Sequence, residues 1–258
     1  MTRTLTIVIA TFIATIIALE TFLGAIYVSA KRSLVDAMSP KESASFQNCV
    51  LPRLSSIPTG ATAIIGHAYG APNRGNDFIA PKVERFLRHA AQQLDAVVFS
   101  GDVFERPSQR RWQQLASLSS DLATPFFVVP GNHDVGLGDT TQRDIWETTQ
   151  YHLGKEGYTT MALSGFTVVL EDSIQTGWQI SEELKAHLSA LVSEKPILLV
   201  RHNIAVEDML AVANSGAGLS TALPSADDFA KSVPSGVVVV SGDSGAFERL
   251  PRVSCHET

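Results

Sequence analysis

Five residues with metal-binding side chains stand just beyond five apolar runs. His67 follows Ala63–Ile65, Asp102 follows Ala96–Phe99, and Asn132 follows Phe126–Val129. His202 follows Ile197–Val200, and Asp243 follows Val237–Val240. In four of the five a glycine comes directly before the polar residue: Gly66, Gly101, Gly131 and Gly242. A glycine there predicts a turn conformation that a side chain would resist. Imidazole nitrogen, carboxylate and amide oxygen form a donor set for a divalent cation. The block Asn132-His133-Asp134 sits at a tight turn and has the look of an active site. Any one such turn reads equally well as solvated loop, because Pro, Gly, Asn and Asp are ordinary turn residues. Five in one chain are not readily produced by turn composition.

Something must bring those ends together. From Thr62 onward, predicted strands and helices alternate, which argues for a parallel or mixed sheet covered by helices. Helices are expected at Ala80–Leu94, with Val83, Phe86, Leu87, Ala90 and Leu94 on the buried stripe, and from a Ser108 cap to Leu122, with Trp112, Leu115 and Ala116 inward. Further helices are expected at Thr141–Leu153, Ser181–Glu194 and Ser225–Lys231. Thr159–Leu163 and Phe166–Leu170 read as a hairpin turning at Ser164-Gly165. Asp102 and Asn132 are about one βαβ unit apart, as on neighbouring parallel strands. Right-handed crossovers would set the strand ends along one sheet edge, where ligands bind in open α/β sheets.

The chain has 258 residues and a formal net charge of −6. That length suits one α/β domain with an appendage. No basic stripe interleaved with aromatics is present, so nucleic acid is not an expected partner. Leu5–Ala30 is almost wholly apolar, broken chiefly by Glu20, and long enough to span a bilayer as a helix. A cleaved signal peptide is the rival, with Val28-Ser29-Ala30 at the cleavage position. The division expected is an anchor or signal over 1–30, a linker over 31–60 and a folded domain over 61–258. Basic residues on the two sides of the apolar stretch are nearly tied, so charge does not orient it. Cys49 and Cys255 could tie the domain's ends together, which would suit an oxidising compartment; two free thiols are the alternative. The domain is expected on the periplasmic or extracellular side.

Gly101-Asp102, Gly131-Asn132-His133-Asp134 and His202 match, in type, order and strand context, motifs of the calcineurin-like metallophosphoesterases, which the chain resembles over about Thr62–Gly245. The resemblance implies a four-layer sandwich of two mixed sheets flanked by helices. It implies a hydrolase of phosphate esters that uses a metal-activated hydroxide. Asp102 would be the bridging carboxylate, Asn132 and His202 would hold the second metal, and Asp243 stands where the first histidine of the family's last block would be. His133 becomes the proton donor to the leaving group, with Asp134 holding its ring.

The first block departs from the family. Ile65-Gly66-His67-Ala68-Tyr69 lacks the expected aspartate. One register leaves Ile65 in its place; the other, favoured by the strand-end pattern, puts His67 there and Tyr69 in the histidine position. Gly245 replaces the last histidine. One or two ions are expected, with Mn, Fe or Mg favoured over Zn by the carboxylates. Only residues 244–258 follow Asp243, so the family's second sheet is short here or the chain is cut. Arg201 could meet a phosphate or pair with an acid. His89, His152, His187 and His256 read as surface. Two functions follow: a membrane-anchored, metal-dependent phosphoesterase, or a catalytically degenerate metal-binding scaffold in an envelope complex. The substrate and any protein partner carry no readable code.

Overall fold

In a computed structural model of the chain, the apolar runs pair into two main sheets. The structure describes residues 47–48, 56–70, 76–136, 140–163, 165–176, 179–191, 195–203, 233–234, 236–243 and 254–255. The apolar segment Leu5–Ala30, Cys49, the helix expected at Ser225–Lys231 and Gly245 lie outside those residues. The first sheet is parallel, in the order β2 (Ala61–Ile65), β3 (Leu94–Ser100), β4 (Phe126–Val129). The second runs β5 (Tyr158–Ala162), β6 (Thr167–Glu171), β7 (Ile197–Arg201), β8 (Val237–Ser241). Its β5–β6 pair is antiparallel and the other two are parallel. A short antiparallel pair joins β1 (Gln47–Asn48) to β9 (Ser254–Cys255), so the residue before Cys49 lies opposite Ser254.

Why the runs are apolar follows from burial. Val97, Val98 and Phe99 of β3 are all fully buried, as a central parallel strand covered on both faces requires. In the second sheet the faces separate with period two. Val168, Leu170, Leu198 and Val200 join the core of the first sheet. Val169, Ile197 and Leu199 pack instead with Leu184 and Leu188 of the helix Glu182–Ala190. Each such side chain removed from water contributes about 1.5–3 kcal/mol. The result is an α/β fold with helices, as the alternation predicts, in which the described strands form one parallel and one mixed sheet where the resemblance implied two mixed ones.

The expected helices among the described residues start within a residue of where predicted; the one after Ser108 also ends as expected, at Leu122, and the others end sooner. Helix α1 (Pro81–Ala90) buries Leu87 and Ala90, but Phe86 stays 39% exposed. Phe86 is one residue, about 100° around the helix, from Leu87, which carries it off the core-facing stripe. A 3-10 turn, Ala91–Gln93, then frees Leu94 to begin β3. Helix α2 (Gln109–Leu122) is capped by Ser108, whose Oγ accepts the Arg111 N–H at 3.3 Å. It ends on Ala123 in the left-handed conformation, and Leu118 rather than Ala116 joins Trp112 and Leu115 in the core. Asn132–Val135 forms a single turn, α3. The helix expected over Thr141–Leu153 is α4, Thr140–Glu147. It stops because Thr148 and Thr149 turn their hydroxyls onto the Ile145 and Trp146 carbonyls, both at 2.8 Å. One more turn, α5 (Ser173–Thr176), follows β6, and Glu182–Ala190 is α6. Among the described residues no helix is long and apolar enough to cross a membrane.

Candidate functional site

The parallel strands deliver all five residues to one place. His67 Nε2 lies 3.1 Å from Asp102 Oδ2. His202 Nε2 lies 3.2 Å from Asn132 Oδ1, 3.6 Å from Asp102 Oδ1 and 3.8 Å from Asp243 Oδ1. The His67 and His202 rings are 5.8 Å apart. Strands from both sheets therefore contribute: β2, β3 and β4 from the first, β7 and β8 from the second.

Glycine at the turns has two physical reasons, and the expected one accounts for a single case. Gly101 has φ 97°, in the left-handed region. Gly131 does not, with φ −100°, yet a Cβ there would lie 2.2 Å from Asp102 Oδ1. At Gly242 a Cβ would lie 1.7 Å from the Ser100 carbonyl oxygen. These glycines let one strand end press against the next. The unusual backbone falls on two of the candidate residues themselves, since His67 (φ 48°) and Asp102 (φ 56°) are both left-handed. For residues with a Cβ that conformation is uncommon, and it gathers at functional sites.

Three histidines share one orientation. Nδ1–H of His67 donates to the Gly242 carbonyl at 3.1 Å, that of His202 to Ser100 at 3.1 Å, and that of His133 to Glu105 at 3.2 Å. Each neutral ring then carries its lone pair on Nε2. A backbone carbonyl behind Nδ1 is how a metal-binding histidine is commonly held. For His67, burial lowers the pKa more than Asp102 raises it, which favours the neutral ring. The Nε2 lone pair of His67 thus faces a carboxylate oxygen, acceptor against acceptor, and His202 Nε2 lies among the oxygens of Asn132, Asp102 and Asp243. A cation between them satisfies both sides.

The donors suit a divalent ion in kind, and the His202 contacts suit one in pairwise spacing. Two ligands of one ion, each bonded at about 2.1 Å, can be at most about 4.2 Å apart, and the His202 contacts fall within that limit. Among the described residues, no group of three or more His, Cys, Asp or Glu side chains is already placed to hold a metal ion. Asp102, Asn132, His202 and Asp243 would hold the ion, with His67 on the other oxygen of Asp102. Tyr69 is buried, its ring 5.6 Å from His67 and 5.3 Å from His133. Burial and then the neighbouring carboxylates raise its pKa well above the usual phenol range, which keeps the hydroxyl protonated.

Asp134 does not hold the His133 ring. Its Oδ2 accepts N–H from Gly131 at 2.9 Å and Val103 at 3.1 Å, and its Oδ1 accepts N–H from Phe104 at 3.1 Å. Fully buried, it ties the β3 and β4 ends together. Burial and the charge of Asp102 push its pKa up to about 7, against the pull of those three donors. Asp102 Oδ1 accepts the His133 N–H at 3.0 Å, a second tie between the same loops. The Glu105 carbonyl, on His133 Nδ1, takes the orienting place expected of Asp134.

Arg201 does not face the site. Its Nε lies 3.2 Å from Glu171 Oε2, and both side chains are fully buried. The two stand opposite each other in the parallel β6–β7 register. Glu171, Asp172 and Ser173 were not expected to matter. They are the polar end of a sixth apolar run, Val168-Val169-Leu170, whose signal is hidden in sequence by the hairpin pattern. All three are buried. Of the other histidines, His89 is exposed, while His187 bonds Thr160 Oγ1 at 2.7 Å.

Residues 69–244 match the family model described as calcineurin-like phosphoesterase. The match begins two residues past His67. A probable cyclic nucleotide phosphodiesterase of Pseudoalteromonas sp. (strain SM9913) is 30% identical over 141 residues, covering 50% of this chain and 51% of that protein. The chain spans about half the length of this curated relative.

Proposed function

The chain belongs to the calcineurin-like phosphoesterase family, and we propose that it is a metal-dependent hydrolase of phosphate esters, built as a four-layer sandwich and anchored to a membrane. The observation that carries this reading is the inward presentation of Nε2 by His67 and His202 against Asp102, Asn132 and Asp243. A divalent ion held by Asp102, Asn132, His202 and Asp243 would supply Lewis acidity toward a phosphoryl oxygen and lower the pKa of a water. His133, with Nδ1–H on the Glu105 carbonyl, takes up or gives its second proton at Nε2, where it serves the leaving oxygen. Asp102 has two tasks, holding the ion and fixing the His133 backbone.

The name of the partial relative puts phosphodiesters, cyclic nucleotides among them, first in the assay. The apolar stretch Leu5–Ala30 supports the anchor, with a linker to about residue 60 and the domain outside the cytoplasm. The test is hydrolysis of bis(p-nitrophenyl) phosphate and of a 3′,5′-cyclic nucleotide by purified, Mn²⁺-loaded protein. Turnover that depends on metal and is lost in Asn132→Ala is expected. Protein that binds no Mn²⁺ and turns over neither substrate would sink the proposal.

A second reading, a metal-binding scaffold without turnover, is favoured by one feature. The first block offers a neutral imidazole and a protonated phenol instead of a carboxylate and an imidazole. Mn²⁺ binding with no hydrolysis above that of His133→Ala would select it.

A further inference from the structure

We propose that Ser173 is the positioning residue for His202, a role that rests on the metal-site reading above. His202 and Asn203 lie just past the end of β7, where the strand ladder no longer satisfies their N–H groups. A buried N–H must find a partner, and here both find the same one. Ser173 Oγ accepts the His202 N–H at 3.2 Å and the Asn203 N–H at 2.9 Å. Asn203 Nδ2 donates back to the Ser173 carbonyl at 3.0 Å. A hydroxyl has two lone pairs, and both are engaged. Ser173 is fully buried and Asn203 nearly so.

The clamp completes a frame around His202. On the β8 side, the His202 carbonyl accepts N–H from Gly242 at 3.1 Å and Asp243 at 2.9 Å. On the β6 side, Ser173 holds the N–H. The ring then has little freedom: Nδ1–H reaches the Ser100 carbonyl and Nε2 points at Asn132 and Asp102. Ser173 is itself anchored by its neighbours. Glu171 pairs with Arg201 and accepts the Thr176 hydroxyl at 2.7 Å, and Asp172 pairs with Arg143 of α4. Three consecutive side chains at the end of β6 therefore grip β7, α4 and the backbone of a metal-site histidine. The β8 contacts are made by backbone alone and survive most substitutions; the Ser173 contact is made by a side chain and can be removed.

The experiment removes the acceptor and watches His202 rather than turnover alone. In full-length protein, Ser173→Ala is compared with wild type by ¹⁵N NMR of the His202 ring and by Mn²⁺ titration. The expected result is a wild-type ring with its proton on Nδ1, a mixture of tautomers in Ser173→Ala, and Mn²⁺ affinity about tenfold weaker, the low end for loss of a group that orients a ligand. If Ser173→Ala does not fold, Ser173→Cys keeps the shape with a poor acceptor and is read the same way. A variant with lower melting temperature but an unchanged His202 spectrum and unchanged Mn²⁺ affinity would show a merely structural serine and overturn the proposal. Wild-type protein that binds no Mn²⁺ would overturn the metal reading, while the ring spectrum would still decide Ser173.

Discussion

His67 Nε2 stands 3.1 Å from Asp102 Oδ2, and both residues hold a left-handed backbone, φ 48° and 56°. Parallel β2 and β3 put them side by side, and Gly242 O fixes the His67 ring from behind. The contact joins a lone pair to a carboxylate, so a cation stabilises it. Added Mn²⁺ should raise the melting temperature, by an amount equivalent to about 2.7 kcal/mol at 100 times the dissociation constant. Thermal scans with Mn²⁺ and with a chelator check this. Asp102→Asn should cut the shift to about 0.4 kcal/mol or less at the same Mn²⁺ concentration, as binding weakened by about 100-fold or more requires.

His133 bonds the Glu105 carbonyl through Nδ1 and leaves Nε2 available. His133→Ala should lower kcat by about 10²–10⁴ with Mn²⁺ stoichiometry unchanged. Steady-state kinetics beside metal analysis separates a proton-transfer role from a ligand role.

Gly131 faces Asp102 so closely that a Cβ would lie 2.2 Å from Oδ1 and 2.4 Å from the backbone nitrogen. Gly131→Ala should cost about 1–3 kcal/mol or more through forced displacement, and it should displace Asp102. Gly165→Ala, with nothing within 4 Å, should stay within about 0.5 kcal/mol of wild type. Urea denaturation of both variants tests the difference.

Glu171 and Arg201 are both fully buried, 3.2 Å apart on adjacent strands. Removing either leaves its partner's charge in the core, so Glu171→Ala or Arg201→Ala should cost about 3–5 kcal/mol. The double change Glu171→Ala with Arg201→Ala should lose less than the sum of the two single changes. A double-mutant cycle by chemical denaturation measures that coupling.

Much of this was legible in the chain itself. Apolar runs such as Phe126–Val129 and Val237–Val240 end at polar residues because a strand must be buried along its length while its end meets the site. Residue type and order alone therefore marked His67, Asp102, Asn132, His202 and Asp243, and Ser108 marked the start of α2. Contacts between segments far apart in sequence could be decided only by the tertiary structure. It gave Asp134 to three backbone donors instead of the His133 ring and turned Arg201 onto Glu171. It made Gly131 and Gly242 necessary through close approach instead of backbone angle, and brought the end of β6 against His202. The physical reason is common to all four. A side chain's chemistry is written in its type, but its hydrogen-bond partner is whichever buried group the packing of two sheets leaves beside it.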